Sequence, residues 1–86
     1  MKILKFFGIH CNPCKALSKA FENAKIEHQD INVDENEELV DKYHIKSIPT
    51  VIVLNNEGEE LGRFVGFRNK EQLLKEFNKY KTLDNK

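Results

Sequence analysis

The sequence contains two cysteines, Cys11 and Cys14, that are separated by two residues. When such a pair begins a helix, its sulfurs come within disulfide distance and the second sulfur faces the inner side of the helix. The free N–H groups and the positive end of the helix dipole favour a thiolate at the first position. The spacing therefore predicts a redox dithiol in which Cys11 is the exposed nucleophile and Cys14 is the shielded resolving thiol.

Two other interpretations of the cysteine pair remain open, because it could be half of a zinc site or an inert buried pair. A closed zinc site takes four protein ligands, and the three histidines, His10, His28 and His44, show no matching spacing. We interpret His28 and His44 as surface residues. We expect no metal and no cofactor beyond a redox-active Cys11–Cys14 disulfide, which closes too small a loop to be a strong structural staple.

The apolar pattern around the cysteines predicts a strand–helix–strand unit. Residues 2–9 form an apolar run of strand length, and the apolar positions then change to helical spacing in a helix opened by Pro13. A second strand over 26–33 would complete a parallel unit with a right-handed crossover. Asp34 is expected to begin a short second helix that ends near His44.

The second half of the chain predicts a hairpin and a last helix. Strands over 51–54 and 61–65 are separated by turn residues. Asn69 and Gln72 have the spacing of a capping pair for the final helix. The order β-α-β-α-β-β-α predicts an α/β domain, a small four-stranded mixed sheet with helices on both faces.

Composition limits the partners of this domain. The 86 residues include 14 Lys plus Arg and 14 Asp plus Glu, so the formal net charge is zero. Without a basic excess, nucleic acid is not an expected partner. No apolar run approaches the roughly 20 residues of a bilayer span, and the first residues lack a signal-peptide cleavage site. We therefore expect a soluble, cytoplasmic monomer, with a domain over 1–80 and a frayed tail over 81–86.

Three features of the expected site resemble the thioredoxin family: Cys11-Asn12-Pro13-Cys14, Ile48-Pro49-Thr50 and Gly66. The resemblance runs from Lys2 to Tyr80 and lacks the extra first strand and helix of full-length thioredoxins. It implies the thioredoxin fold and the reduction of disulfides in protein substrates. It also implies an electron donor, either a thioredoxin-reductase-type enzyme or glutathione.

The resemblance implies a substrate-binding role for the segment around Pro49. In the family this proline follows a cis peptide bond beside the cysteines, and the backbone at Ile48 pairs with an extended substrate segment that Thr50 and Gly66 help to accommodate. The alternatives are an ordinary trans turn at Pro49 and, at Gly66, a strand end that only requires a positive φ.

The chain departs from the family pattern six residues before the first cysteine. Many thioredoxins have a buried acid there and a lysine on the next strand, whereas this chain has Lys5 and Asp30. We expect a charge-swapped pair beneath Cys14 that tunes proton transfer or holds its thiolate. The alternative is that Lys5 extends to solvent and Asp30 is an ordinary solvated residue.

Two further departures flank the nucleophile, because His10 replaces the usual tryptophan and Asn12 the usual glycine. A protonated His10 would stabilise the Cys11 thiolate, although a plain exposed histidine is an equally good interpretation. Asn12 is expected to make a capping hydrogen bond at the helix start, where Pro13 follows it.

Other functions could share this fold. Glutaredoxin-like, glutathione-driven chemistry suits the short length but is disfavoured because the last loop has no Gly-Gly pair. A non-catalytic interaction subunit would use the same surface without the thiols. A dedicated oxidant or isomerase would need an oxidising compartment.

Overall fold

The computed structural model describes residues 1–84 and shows four strands and three helices there. In chain order these are β1 Lys2–Phe7, α1 Asn12–Ala24, β2 Gln29–Asn32, α2 Glu37–Lys42, β3 Thr50–Leu54, β4 Glu60–Val65 and α3 Lys70–Asp84. The predicted element order and fold class are confirmed.

The four strands form one mixed sheet in the order β2-β1-β3-β4. Strand β1 pairs in parallel with β2 and antiparallel with β3, and β3 pairs antiparallel with β4. Because β1 is an inner strand, the cysteine motif that follows it begins at the middle of one end of the sheet.

Alternation along β1 divides the apolar residues between two cores. Ile3 belongs to the core beneath α1 and α3, whereas Leu4 and Phe6 belong to the core beneath α2. The helices therefore cover both faces of the sheet, as predicted. The α1 and α3 residues of the first core are Leu17, Ala20, Phe21, Leu73, Phe77 and Tyr80.

The second strand and second helix are shorter than the sequence pattern predicts. Strand β2 covers only Gln29–Asn32 of the predicted 26–33, and α2 begins after Asn36 rather than at Asp34. The reason lies in Asn32, whose side-chain oxygen accepts the Asp34 N–H and whose carbonyl accepts the Glu35 N–H. These bonds hold the chain in a turn, so the helix starts later.

Helix α3 begins with the predicted capping pair. The Asn69 side chain accepts the Gln72 N–H and the Gln72 side chain accepts the Asn69 N–H, both at 2.9 Å. The helix continues to Asp84, whose carboxylate lies 3.5 Å from the Met1 ammonium. Residues 81–84 of the predicted tail are thus helical, and residues 85–86 lie outside the described residues.

Within residues 1–84, no helix is both long enough and apolar enough to cross a membrane.

Candidate active site

The cysteine motif lies at the start of α1, after the short loop that follows β1. Cys11 is the N-cap of α1 with an extended backbone (φ −117°, ψ 104°), and its sulfur accepts the Cys14 N–H at 3.2 Å. Pro13 lies in the first turn, where its missing N–H would have no helical partner. Cys11 and Cys14 are joined by a disulfide.

Both cysteines are largely covered in this disulfide form. Cys14 is 3% exposed and Cys11 is 9% exposed, so Cys11 is the more accessible of the two but not the openly exposed residue expected from the sequence. The difference arises because the Cys11 side chain turns back to cap its own helix.

The capping geometry also corrects the role expected for Asn12. The side chain of Cys11 caps the helix, and Asn12 is already its first residue, exposed to solvent. His10 lies in the preceding loop and is exposed as well.

The segment around Pro49 meets the cysteine loop at the same end of the sheet. Thr50 begins β3 and pairs with Phe6 of β1 on one side and with Val65 of β4 on the other. The Ile48–Pro49 peptide bond is cis, Pro49 is buried, and the Thr50 hydroxyl donates to the Ser47 carbonyl at 2.7 Å.

Gly66 is tied directly to this segment, because its N–H donates to the Pro49 carbonyl at 2.9 Å. Its φ of 91° lies in the region that L side chains rarely adopt, which explains a glycine there. A Cβ at Gly66 would meet no atom within 4 Å, so the position is open to an approaching partner as well.

Gly8 is a site residue that the sequence analysis did not single out. A Cβ at this position would lie 2.6 Å from Cδ1 of Ile48. Gly8 therefore allows Ile48 to pack against the loop that carries Cys11. The signal in the sequence is a glycine between an apolar strand and the cysteine pair.

Three large apolar side chains are exposed at this end of the sheet: Ile9 in the loop before Cys11, Val65 at the end of β4, and Phe67 just after Gly66. No pattern in the sequence predicts their exposure. Together they give the surroundings of the cysteine pair an apolar surface.

Lys5 lies inside the core face that α1 covers, and its side chain is only 2% exposed. Its ammonium lies 3.0 Å from Oδ1 of Asp30, donates to the Ser18 hydroxyl, and lies 5.4 Å from the centre of the Phe21 ring. The expected contact between Lys5 and Asp30 is therefore present, and Lys5 does not extend to solvent. Asp30 itself remains 54% exposed.

His28 is part of this cluster, although the sequence analysis placed it simply at the surface. Its Nε2 lies 3.0 Å from the same Asp30 oxygen, its Nδ1 lies 2.8 Å from the Ile26 carbonyl, and its ring packs edge-on against Phe21. The signal was the spacing of His28 and Asp30, two residues apart, which places them on one face of extended chain.

An open groove of about 360 Å³ separates the end of β1 from the first turns of α1. Six residues line it: Phe7, Gly8, Ile9, Cys14, Lys15 and Ser18. The groove gives solvent access to the side of Cys14. Among residues 1–84, no cluster of three or more His, Cys, Asp or Glu residues is arranged to hold a metal ion.

Comparison with known proteins agrees with this geometry. The thioredoxin family model matches residues 1–79. Thioredoxin of Bacillus subtilis is 40% identical over 81 residues, which cover 87% of this chain and 77% of that protein. The SPbeta prophage-derived thioredoxin-like protein YosR of the same organism is 35% identical over 78 residues, covering 88% of this chain and 98% of that protein. The structure of thioredoxin 1 from Thermosipho africanus superposes with a TM-score of 0.76 at 29% identity over the whole of both chains.

Proposed function

The chain belongs to the thioredoxin family and is a thiol-disulfide oxidoreductase, and we propose that it acts as a reductant of disulfides in protein substrates. The observation that carries the proposal is the Cys11–Cys14 disulfide at the start of α1, with the Cys11 sulfur at the cap. The proposal assigns Cys11 as nucleophile and Cys14 as resolving thiol.

The reaction begins with the reduced dithiol. The Cys11 thiolate attacks one sulfur of a substrate disulfide, which breaks that bond, forms a mixed disulfide and releases one substrate thiolate that takes up a proton. Cys14 then loses its proton and attacks the Cys11 sulfur. The mixed disulfide breaks, and the second substrate thiolate leaves and is protonated. The substrate disulfide has then gained two electrons, and the dithiol has lost two by forming the Cys11–Cys14 disulfide.

The order of the two thiols follows from their places on the helix. The Cys11 sulfur lies at the positive end of the helix dipole and accepts a backbone N–H, both of which favour a thiolate. Cys11 is also the more accessible of the two cysteines. Cys14 is almost fully buried, is bonded to Cys11 and borders the adjoining groove, which suits a resolving thiol.

The proposed substrate site is the surface between the cysteine loop and the Pro49 segment. We expect the backbone at Ile48 to pair with an extended substrate segment, with Thr50 fixing the turn behind it and Gly66 leaving room beside it. Exposed Ile9, Val65 and Phe67 supply apolar contact, which takes the place of the flat surface that the usual tryptophan would give.

The residues beneath and beside the cysteines tune the dithiol in this proposal. The Lys5 ammonium is a buried positive charge on the Cys14 side, held by Asp30. His10 and Asn12 are exposed next to Cys11 and Pro13, where they can affect partner choice and the stability of the thiolate.

The disulfide must be reduced again by an external donor, either a reductase of the thioredoxin-reductase type or glutathione. Because net reduction of protein disulfides needs a reducing compartment, the proposal places the chain in the cytoplasm.

Two measurements test the proposal. Incubated with a disulfide-bonded protein, a Cys14→Ser variant should accumulate as a mixed disulfide through Cys11, whereas Cys11→Ser should not react. The reverse pattern would overturn the assignment of the two thiols.

Equilibration in glutathione buffers of graded ratio, followed by thiol trapping, then identifies the donor. About 30 mV corresponds to roughly 1.4 kcal/mol for this two-electron couple, so modest tuning is measurable. A disulfide that resists the glutathione pool supports a dedicated reductase. Ready reduction by glutathione would favour glutaredoxin-like or oxidant chemistry instead.

A further inference from the structure

We propose that Ser18 is a positioning residue for the reaction of Cys14, because its hydroxyl transmits the effect of the buried Lys5 ammonium to the Cys14 sulfur. The inference rests on the proposed role of Cys14 as the resolving thiol. It deepens that function by naming the group that stabilises the thiolate formed in the second step.

Ser18 is placed between Lys5 and Cys14. On α1 it follows Cys14 by four residues, a spacing that puts the two Cβ atoms roughly 5–6 Å apart on the same side of the helix. Both residues line the groove beside the end of β1. From the opposite side, the Lys5 ammonium reaches the Ser18 oxygen through a hydrogen bond.

The direction of that hydrogen bond leaves the Ser18 proton available. An ammonium group only donates, so the Ser18 oxygen must be the acceptor. Within residues 1–84 the structure shows no other hydrogen bond made by this hydroxyl. Once the Cys11–Cys14 bond is broken, a Cys14 thiolate one turn away is a suitable acceptor for its hydrogen.

Several contacts hold the Lys5 ammonium in place. Its ammonium has the Asp30 carboxylate at 3.0 Å, the Ser18 oxygen as a second acceptor, and the Phe21 ring within cation–π distance. Lys5 is 2% exposed, whereas Ser18 is exposed beside the groove, so the Ser18 hydroxyl connects the buried ammonium with the groove that Cys14 borders.

The resolving step balances without a further reactant. The Cys14 thiol releases its proton to solvent in the groove, and the Ser18 hydroxyl donates a hydrogen bond to the resulting thiolate. The thiolate attacks the Cys11 sulfur, the Cys11–Cys14 bond forms, and the substrate thiolate leaves.

Several titratable groups lie near this step, on the elements packed around it. Lys5 lies on β1, Lys15 lines the groove from α1, Asp30 lies on β2 and His28 precedes that strand. A change in the pH profile must therefore be compared between variants that keep all four groups.

The test uses two substitutions and a control on the same helix. Ser18→Ala removes the hydroxyl and should raise the apparent pKa of the Cys14 thiol by about 1, because the free energy of one hydrogen bond to a charged group corresponds to roughly that change in pKa. Resolution should then slow roughly threefold below that pKa, because the tenfold loss of thiolate is partly offset by the greater nucleophilicity of a more basic thiolate. Ser18→Thr keeps a hydroxyl and should restore the rate, and Lys19→Ala at an exposed position should change neither quantity.

The reduced protein is mixed rapidly with dithiobis(nitrobenzoate), an aryl disulfide that releases a coloured thiolate. Attack by the first thiol releases one equivalent and resolution by the second releases another, so the two steps appear as separate phases. Their rates are measured across pH, and thermal unfolding of each variant shows that it is folded.

The inference predicts that Ser18→Ala leaves the first phase unchanged, slows the second and shifts its pH profile upward. An unchanged second phase, or a slower one with an unshifted profile that Ser18→Thr does not restore, would overturn the role of Ser18. Cys11→Ser and Cys14→Ser test the thiol order separately. Each of these variants has one thiol and can release only one equivalent. If Cys11→Ser kept the fast first phase and Cys14→Ser lost it, the proposed order of the thiols would itself fall, whatever Ser18 does.

Discussion

Removing Asp30 and removing Lys5 should lower the free energy of unfolding by very different amounts, because Lys5 is buried and Asp30 is mostly in solvent. Lys5 is 2% exposed and Asp30 is 54% exposed. Asp30→Ala leaves an ammonium in the core without its carboxylate. Lys5→Met leaves a carboxylate that water can solvate and fills the core with an apolar chain of similar length. We therefore expect Asp30→Ala to be the more destabilising change.

The distance between the charges sets the size of the effect. At 3.0 Å, two unit charges attract by about 1.4 kcal/mol at the dielectric constant of water and about 5.5 kcal/mol at an effective constant of about 20. The exposure of Asp30 places the interaction toward the lower figure. We expect Asp30→Ala to lower the free energy of unfolding by about 2 kcal/mol, and Lys5→Met to change it by less than about 1 kcal/mol.

Urea unfolding of the disulfide form, followed by circular dichroism, measures both singles and the double variant. Once Lys5 is methionine, the loss of Asp30 should cost almost nothing, so the double variant should match Lys5→Met and the coupling should be about 2 kcal/mol. Glu27→Ala, at a nearby exposed carboxylate, is the matched control. Additive effects within about 0.5 kcal/mol, or an equal cost for both singles, would refute the reasoning.

Three further outcomes follow from the glycines and from Tyr80. Gly66→Ala should lower the free energy of unfolding by about 1–2 kcal/mol, because φ is 91° there; urea unfolding checks this, and an unchanged midpoint would contradict it. Gly8→Ala should displace Ile48 and lower kcat/KM for a protein disulfide. Expressed as a free energy, this loss should exceed the loss in the free energy of unfolding, whereas an unaltered kcat/KM would argue against a role for that contact. Burial, aided by Glu76, raises the pKa of Tyr80 above its ordinary value of 10.0, so the folded state holds the phenolic proton more tightly than the unfolded state. Stability should therefore fall as pH rises above about 10, and Tyr80→Phe should lose less; equal alkaline loss in both proteins would contradict the assignment.

The parts of the fold that the sequence predicted are those with local causes. The change from a strand-length apolar run to helical spacing at Cys11 and Cys14 depends on neighbouring residues alone. The reciprocal bonds of Asn69 and Gln72 span only three residues, so their pattern is visible in the sequence.

The parts that could not be predicted depend on distant contacts or on choices between similar residues. Asp34 and Asn36 are both residue types that often precede a helix, and the turn held by Asn32 places the start of α2 after Asn36. The role of His28 becomes visible only once Lys5 is known to be buried beside Asp30. The exposure of apolar residues near the cysteines has no local signal, because most apolar side chains of this kind are buried.

The close contact between α3 and β4 bears on how the chain folds during synthesis. A Cβ at Gly62 would lie only 2.5 Å from Cε1 of the Tyr80 ring. The last helix therefore packs directly against the glycine backbone of the hairpin. Domains emerge from the ribosome N-terminus first, and all four strands precede this helix. A nascent chain that ends before Lys70 lacks all of α3, so Phe64 of the hairpin loses its contact with Phe77 and part of its cover. Ribosome-bound chains of that length should therefore be protease-sensitive, and protection should appear abruptly once α3 has emerged.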